Sequence, residues 1–354
     1  MPASHTRRAA LALPASWYAL TASNARSEST PWGQFKQRFL ASSGRIIDTG
    51  NAGISHSEGQ AWGMLLATIH DDRPAFDRIF RWTRSTLAIR GDRLLAWRFR
   101  PLGGVDDINS ATDADLFHAW ALLRADERWP GEGYGNLALA VAHDILRVAC
   151  RQIGGRVVLM PGAWGFDHSD HIVLNPSYYV FPALEALAAA MPHPAWPALI
   201  AEGERMLNES RHGRWLLPAD WVVMRRRGGP IEPEPIRGDR FGDDAVRLPI
   251  YLAWSGRWQA PMLQQARRFW EDPTHPYQPA WVTLSDNRIA PYPASLGHAA
   301  IRHLVQQPRS ASSINPAFSA DRGYYSNSLA LLAAAAAAEA PGRGHGARVA
   351  ALHR

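Results

Sequence analysis

Helix starts recur along this chain at short intervals, and almost nothing between them alternates as a half-buried strand would. Ser57 stands as a cap before a helix running through Met64, Leu65 and Leu66. Pro74 opens another, with Phe76, Ile79, Phe80 and Trp82 at helical spacing. Thr112 caps a third that places Leu116, Trp120 and Leu123 on one face. Further helices are expected over Asn136–Gln152, Pro176–Ala190, Trp196–Glu209, Asp243–Ser255, Pro261–Trp270, Ala294–Val305 and Tyr324–Ala340. Strand-like material is confined to Arg156–Leu159, Trp221–Met224 and Trp281–Leu284. This distribution predicts an all-α fold, a toroid or helical array. No repeat unit is detectable, which disfavours a simple solenoid. The Gly/Pro-rich stretches Arg100–Ser110, Met160–Asn175 and Arg225–Gly242 lie between helices and are expected to line a cleft.

No linker divides the 354 residues, so residues 26–340 are expected to form one domain. Ahead of it, Arg7-Arg8, the apolar run Ala9–Leu20 and the small residues Ser23-Asn24-Ala25 predict a signal peptide over residues 1–25. Export implies a periplasmic or secreted protein. After Ala340, Pro-Gly-Arg-Gly-His-Gly predicts a disordered tail over 341–354. No segment approaches 18 uninterrupted apolar residues, so a transmembrane helix is not expected.

The net charge of +6 is almost wholly arginine, since Lys36 is the only lysine. Apart from Arg225-Arg226-Arg227 the charges are scattered, with no basic stripe interleaved by aromatics, which argues against a nucleic-acid partner. Cys150 is alone, which excludes an intrachain disulfide and a cysteine zinc site. His168-Ser169-Asp170-His171 lacks a third convergent ligand motif and is read as loop histidines, so neither metal nor organic cofactor is expected. The 15 tryptophans exceed what a core of this size needs, and indole faces stack on pyranose rings, which favours a sugar ligand.

Three acidic steps into helices carry the chemistry: Ser57-Glu58-Gly59, Ala111-Thr112-Asp113-Ala114-Asp115 and Gly242-Asp243-Asp244-Ala245-Val246-Arg247. A carboxylate at a helix start is also accounted for by the dipole alone, at about 0.3–1 kcal/mol each. Together they suggest more. In a ring of helical hairpins the inner helices point one way, so their starts gather at one mouth. Carboxylates crowded there would repel one another and hold at least one proton, while the dipole opposes that. Acid-assisted cleavage of a glycosidic bond needs such a pair.

Ser57–Met64 resembles the acid-bearing segment of glycoside hydrolase family 8. Ala111–Trp129 resembles that family's signature, with His118 where the family usually has Ile or Met. Asn175-Pro176-Ser177-Tyr178-Tyr179, Leu217–Trp221 and Gly323-Tyr324-Tyr325-Ser326 extend the likeness over about residues 50–338. The nearest likeness is to the bacterial endoglucanases that accompany cellulose synthesis. The resemblance implies an (α/α)6 barrel with minor β-structure and an inverting endo-β-1,4-glucanase linked to cellulose biosynthesis. By position it implies Glu58 as general acid, Asp244 as base, Asp113 as holder of the distorted sugar, and Arg247 as the residue orienting that base or a nearby hydroxyl. The family usually has Tyr before the base where this chain has Asp243, so Asp243 stays open as the base. An inverting pair stands roughly 6.5–9.5 Å apart, and that spacing is expected of Glu58 and Asp244.

Trp97 and Trp164, in loops, are the expected stacking platforms, and Tyr178 and Tyr179 the further substrate contacts. A monomer acting on a β-1,4-linked polysaccharide, associated with the cellulose synthase machinery, is the expected state. A xylanase or chitosanase on the same scaffold, and a non-catalytic polysaccharide-binding component, stay open as alternatives.

Overall fold

The computed structural model describes residues 30–237, 239–306 and 323–341. The expected signal peptide, and the expected tail from residue 342 onward, lie outside the described residues.

Eleven α-helices occur among the described residues: α1 (Pro31–Phe39), α2 (Ser57–Ile69), α3 (Arg73–Thr86), α4 (Thr112–Arg128), α5 (Tyr134–Ala149), α6 (Phe181–Ala190), α7 (Ala195–Glu209), α8 (Leu248–Trp254), α9 (Pro261–Trp270), α10 (Leu296–Gln306) and α11 (Tyr324–Glu339). Six of them, α2, α4, α6, α8, α10 and α11, contact one another in sequence, and α11 returns to α2, closing a ring. Long stretches of these helices are buried, Gly59–Thr68 in α2 and Ser326–Ala333 in α11 for instance. The helices outside the ring are amphipathic: α3 buries only Ala75, Phe76, Ile79 and Thr83. The result is the expected all-α toroid, an (α/α)6 barrel. None of its described helices is long and apolar enough to cross a membrane.

The helix starts differ from expectation in instructive ways. His56, not Ser57, caps α2, its Nδ1 accepting from the Gly59 N–H. The Thr112 hydroxyl donates to the Met160 carbonyl instead of capping α4, so it ties the helix start to the loop beyond. The expected helix 176–190 is a 3-10 turn, Pro176–Tyr178, followed by α6 with Pro182 in its first turn. The expected helix 243–255 is likewise a 3-10 turn, Ala245–Arg247, before α8, with Pro249 near its start. In both, a proline lacking an N–H suits a new first turn and cannot continue an old one. Helix α1, capped by the Thr30 hydroxyl, was not foreseen; its Phe35 and Phe39 pack on Tyr324 of α11.

Ten short strands complete the described structure. β1 (Ser55–His56), β2 (Arg98–Arg100) and β3 (Gly104–Asp107) form one antiparallel sheet, and β4 (Cys150–Ile153) with β5 (Arg156–Leu159) form a hairpin. β6 (His171–Leu174), β7 (Val222–Arg225) and β8 (Glu232–Pro233) form a second three-stranded sheet, and β9 (Arg240–Phe241) pairs with β10 (Val282–Thr283). Their placement matters more than their number. β1 runs into α2, β6 into the turn before α6, and β9 into the turn before α8. Ladder hydrogen bonds therefore fix the chain shortly before these three helix starts.

Candidate active site

The inner-helix starts meet around one guanidinium. Arg247 ends the 3-10 turn before α8 and is only 3% exposed. Its Nη1 donates to Glu58 Oε2 and reaches Asp113 Oδ2 at 3.4 Å. Its Nη2 donates to Asp244 Oδ1 at 2.6 Å and to Ser177 Oγ at 2.9 Å. The 3-10 turn brings Asp244 and Arg247 together, since residues three apart share a face there. The guanidinium also lies over the Trp62 ring, 5.9 Å from its centroid. Four residues from four separate segments thus converge on one cation.

Three carboxylates around a single buried cation cannot all ionise without leaving net negative charge in a region of low dielectric. Asp113 answers for this. It is buried to 1% exposure, and burial first, then the Glu58 charge, hold its pKa well above the usual carboxylate range. Arg247 and the Ala114 N–H on its Oδ1 oppose that rise without cancelling it. Desolvation therefore beats the helix dipole at the start of α4. Glu58 and Asp113 share Arg247 Nη1, which sets their carboxyl groups side by side. Asp244 is more open, with 29% of its side chain exposed, and accepts at Oδ2 from Trp221 Nε1 at 3.0 Å. Its pKa is also raised, by burial and by the Glu58 charge, against Arg247.

Asp243 and Asp244 point apart. Asp243 is exposed, and its carbonyl accepts from the Tyr325 hydroxyl of α11. Of the two, Asp244 faces the cluster.

Behind Asp244 lies Asp220, whose Oδ1 accepts from the Gly242 N–H at 3.0 Å and the Ala245 N–H at 2.7 Å. These bonds shape the loop that presents Asp244. Burial and the Asp244 charge push the Asp220 pKa up to about 8. The folded chain therefore holds this proton over a range where the unfolded chain, with an Asp near 3.9, has lost it. Stability from this group is present at low pH and falls as pH rises between those values, by at most about 1.4 kcal/mol per pH unit. Asp220→Asn keeps an acceptor for both N–H groups and cannot ionise. Urea unfolding at a series of pH values is expected to show a flatter decline for this variant between pH 5 and 8. An identical slope in both proteins would show that Asp220 is already ionised there.

Two tryptophans stand on loops tied to these helix starts. Trp97 is half-buried; its carbonyl accepts from the Ser57 N–H at 2.9 Å and its N–H donates to the Asn109 carbonyl at 2.9 Å. The buried Asp115 accepts from the Leu95 N–H and so anchors the loop two residues ahead of Trp97. Trp164 is 49% exposed, with the Arg90 guanidinium 5.1 Å from its ring. Arg90 is held in turn by both oxygens of Asp92. The Asn109 side chain donates to the Trp164 carbonyl and accepts from the Ala163 N–H, joining the two tryptophan loops.

The two adjacent tyrosines part company. Tyr178 is half-buried, 5.8 Å from the Trp221 ring, and within electrostatic reach of Asp113 and Asp244. Tyr179 is not a cleft residue. It is fully buried, its hydroxyl accepts from the Leu159 N–H, and a Cβ built on Gly203 would stand 2.7 Å from its ring. The 3-10 turn ends at Tyr178, so the next side chain swings into the core.

Sequence reading missed Trp221 as a site residue, treating it as strand material. It stacks on Phe166 at 5.6 Å and 11° while holding Asp244. Tyr325 and Ser177 were also missed, although both lie in the quoted family segments. His168, in the loop before β6, stacks its ring at 4.5 Å on that of His171, the strand's first residue.

Three carboxyl groups gathered on one buried guanidinium suit carboxylate-based hydrolysis, and the comparisons point to the same class. The family of glycosyl hydrolases family 8 matches residues 1–339. An endoglucanase of Cellulomonas uda is 38% identical over 278 residues, covering 78% of this chain and 77% of that one. A probable endoglucanase of Novacetimonas hansenii is 38% identical over 87% of this chain and 90% of its own. The crystal structure of a family 8 endoglucanase from Klebsiella pneumoniae superposes with a TM-score of 0.82 at 37% identity, covering 87% of this chain and 99% of that chain. The chain belongs to glycosyl hydrolase family 8 and is a glycoside hydrolase.

Proposed function

We propose that this protein is an endo-β-1,4-glucanase that cuts cellulose-like chains internally by single displacement. The observation carrying the reading is the convergence of Glu58, Asp113 and Asp244 on Arg247 from helix starts far apart in sequence. In this reading Glu58 protonates the leaving glycosidic oxygen, drawing on the proton that the Glu58–Asp113 pair keeps. Asp244 removes a proton from water on the opposite face of the sugar. Asp113 holds the sugar hydroxyls at the cleavage point, and Arg247 orients Asp244. Trp97, Trp164 and Tyr178 carry neighbouring sugar rings, joined by Trp221.

Inversion requires room for a water between acid and base. Glu58 and Asp244 take different terminal nitrogens of the guanidinium, whereas Asp113 shares Nη1 with Glu58. The relatives named endoglucanases support β-glucan as the polymer, and the Novacetimonas relative is compatible with a role in cellulose biosynthesis. The reading includes residues 26–340 as a single catalytic domain, an exported monomer in the periplasm or medium, and proximity to cellulose synthase. The net charge of +6 disfavours polycationic chitosan as substrate.

The test is reducing-end release from carboxymethyl-cellulose, xylan and chitosan under one set of conditions. Carboxymethyl-cellulose is expected to be cut fastest, with viscosity falling steeply per reducing end released, and the new ends to appear as the α-anomer by NMR. Faster release from xylan or chitosan would move the substrate assignment. No release from any polymer would favour a binding protein.

A further inference from the structure

Helix α2 presents Glu58 in its first turn, so whatever fixes that turn fixes Glu58. Ser57, the residue whose type suits a cap, does not serve: its hydroxyl is buried without a partner, and its N–H goes to the Trp97 carbonyl. The cap is instead His56, the last residue of β1, whose Nδ1 accepts from the Gly59 N–H at 3.0 Å. A ring nitrogen can accept only if it carries no proton, so a neutral His56 must carry its proton on Nε2. On that side stands Asp48, its Oδ2 3.5 Å from Nε2. Asp48 is itself fixed by the Gly50 N–H on its other oxygen.

The same Nδ1 lies 4.0 Å from Glu58 Oε1, while the other carboxylate oxygen, Oε2, is taken by Arg247. Glu58 therefore sits between the Arg247 guanidinium on Oε2 and the capping imidazole beside Oε1. The ring is also held by Tyr324, edge-on at 5.7 Å, and by Gly59, where a Cβ would stand 3.3 Å from the imidazole Cε1. Asp48, Glu58 and Tyr324 are the titratable groups facing His56, one from the loop before β1, one from α2 and one from α11.

We propose that His56 is a positioning residue for Glu58: with Asp48 on its Nε2 side it takes the Nε2–H form, caps α2 through Nδ1 and so fixes the turn that carries the acid. The proposal rests on the assignment of Glu58 as general acid. It goes beyond that assignment by giving a function to the residue two before the acid.

The experiment compares His56→Ala, His56→Asn and Glu58→Gln with the parent on carboxymethyl-cellulose. His56→Ala removes the cap and is expected to lower kcat about 10- to 100-fold, the scale of a misplaced reacting group. KM is expected to stay within about twofold, because the substrate-binding walls are untouched. Asn is a strong helix cap whose side-chain oxygen accepts from the same N–H, so His56→Asn is expected to recover most of the lost kcat. In the parent protein, 15N NMR of the imidazole is expected to show the proton on Nε2. A proton on Nδ1, unchanged kcat in His56→Ala, or equal losses in the Ala and Asn variants would each overturn the proposal. If Glu58→Gln stays active, the acid assignment fails instead, and that outcome is read independently.

Discussion

Glu58→Gln is expected to lower kcat on carboxymethyl-cellulose by about 10²–10⁴, the span that a positioned general acid contributes, with KM nearly unchanged. Glutamine keeps the length and planarity of the side chain, and its carbonyl oxygen can still accept from Arg247 Nη1 where Glu58 Oε2 does now. What it cannot do is surrender a proton to a departing oxygen. The loss should therefore depend on the leaving group. Aryl β-glucosides of cello-oligosaccharides with acidic phenols depart without protonation, and their hydrolysis should suffer far less than that of the polymer. A uniform loss across leaving groups would mean that glutamine had disturbed the site as a whole. The substitution also removes the Glu58 charge, the second-largest influence raising the Asp113 pKa after burial. Asp113 should then release its proton at lower pH, an effect visible in the carboxyl 13C shift of Asp113. Full activity in Glu58→Gln would falsify the acid assignment.

The helical frame was legible because each inner helix opens with residues whose types have local causes: a proline, a small hydroxyl residue, an acid. The acidic triad was legible for the same reason, since first-turn carboxylates announce themselves. What stayed hidden depended on direction. Tyr178 and Tyr179 are chemically identical neighbours, and only the end of a 3-10 turn sends one to the cleft and the other against Gly203. Trp221 sits at the head of a strand whose register with β6 places it beside Asn175 and the turn carrying Tyr178, a long-range pairing that no local pattern encodes. His56 was hidden by Ser57, which has the better composition for a cap and none of the geometry. Arg247 was read as orienting the base or a nearby hydroxyl. Its contact with Glu58 spans 189 residues of sequence and makes it the centre of the whole cluster. Two-residue strands such as β1 and β9 are too short to show a period of two, yet they aim Glu58 and Asp244.

The two neighbouring aspartates separate base from bystander. Asp244→Asn is expected to lower kcat by about 10²–10⁴, the contribution of a general base, whereas Asp243→Asn should remain within about threefold of the parent. The asymmetry follows from what each side chain meets. Asp244 takes Arg247 Nη2 on one oxygen and Trp221 Nε1 on the other, so both lone-pair directions are set and the group is held rigidly. Asp243 is exposed, and its structural contribution runs through its backbone carbonyl to Tyr325, which asparagine preserves. A shorter side chain adds a second discriminator. In Asp244→Ala the water has lost its base, but a small anion such as azide needs no deprotonation and fits the vacated volume. Azide should restore turnover in Asp244→Ala and yield the α-glycosyl azide, the product of attack from the face opposite the leaving group. It should do nothing for Glu58→Gln, where the missing proton is on the departing side. If azide rescues Asp243→Ala instead, with Asp244→Asn still active, the base is Asp243 and the loop must turn over when substrate binds.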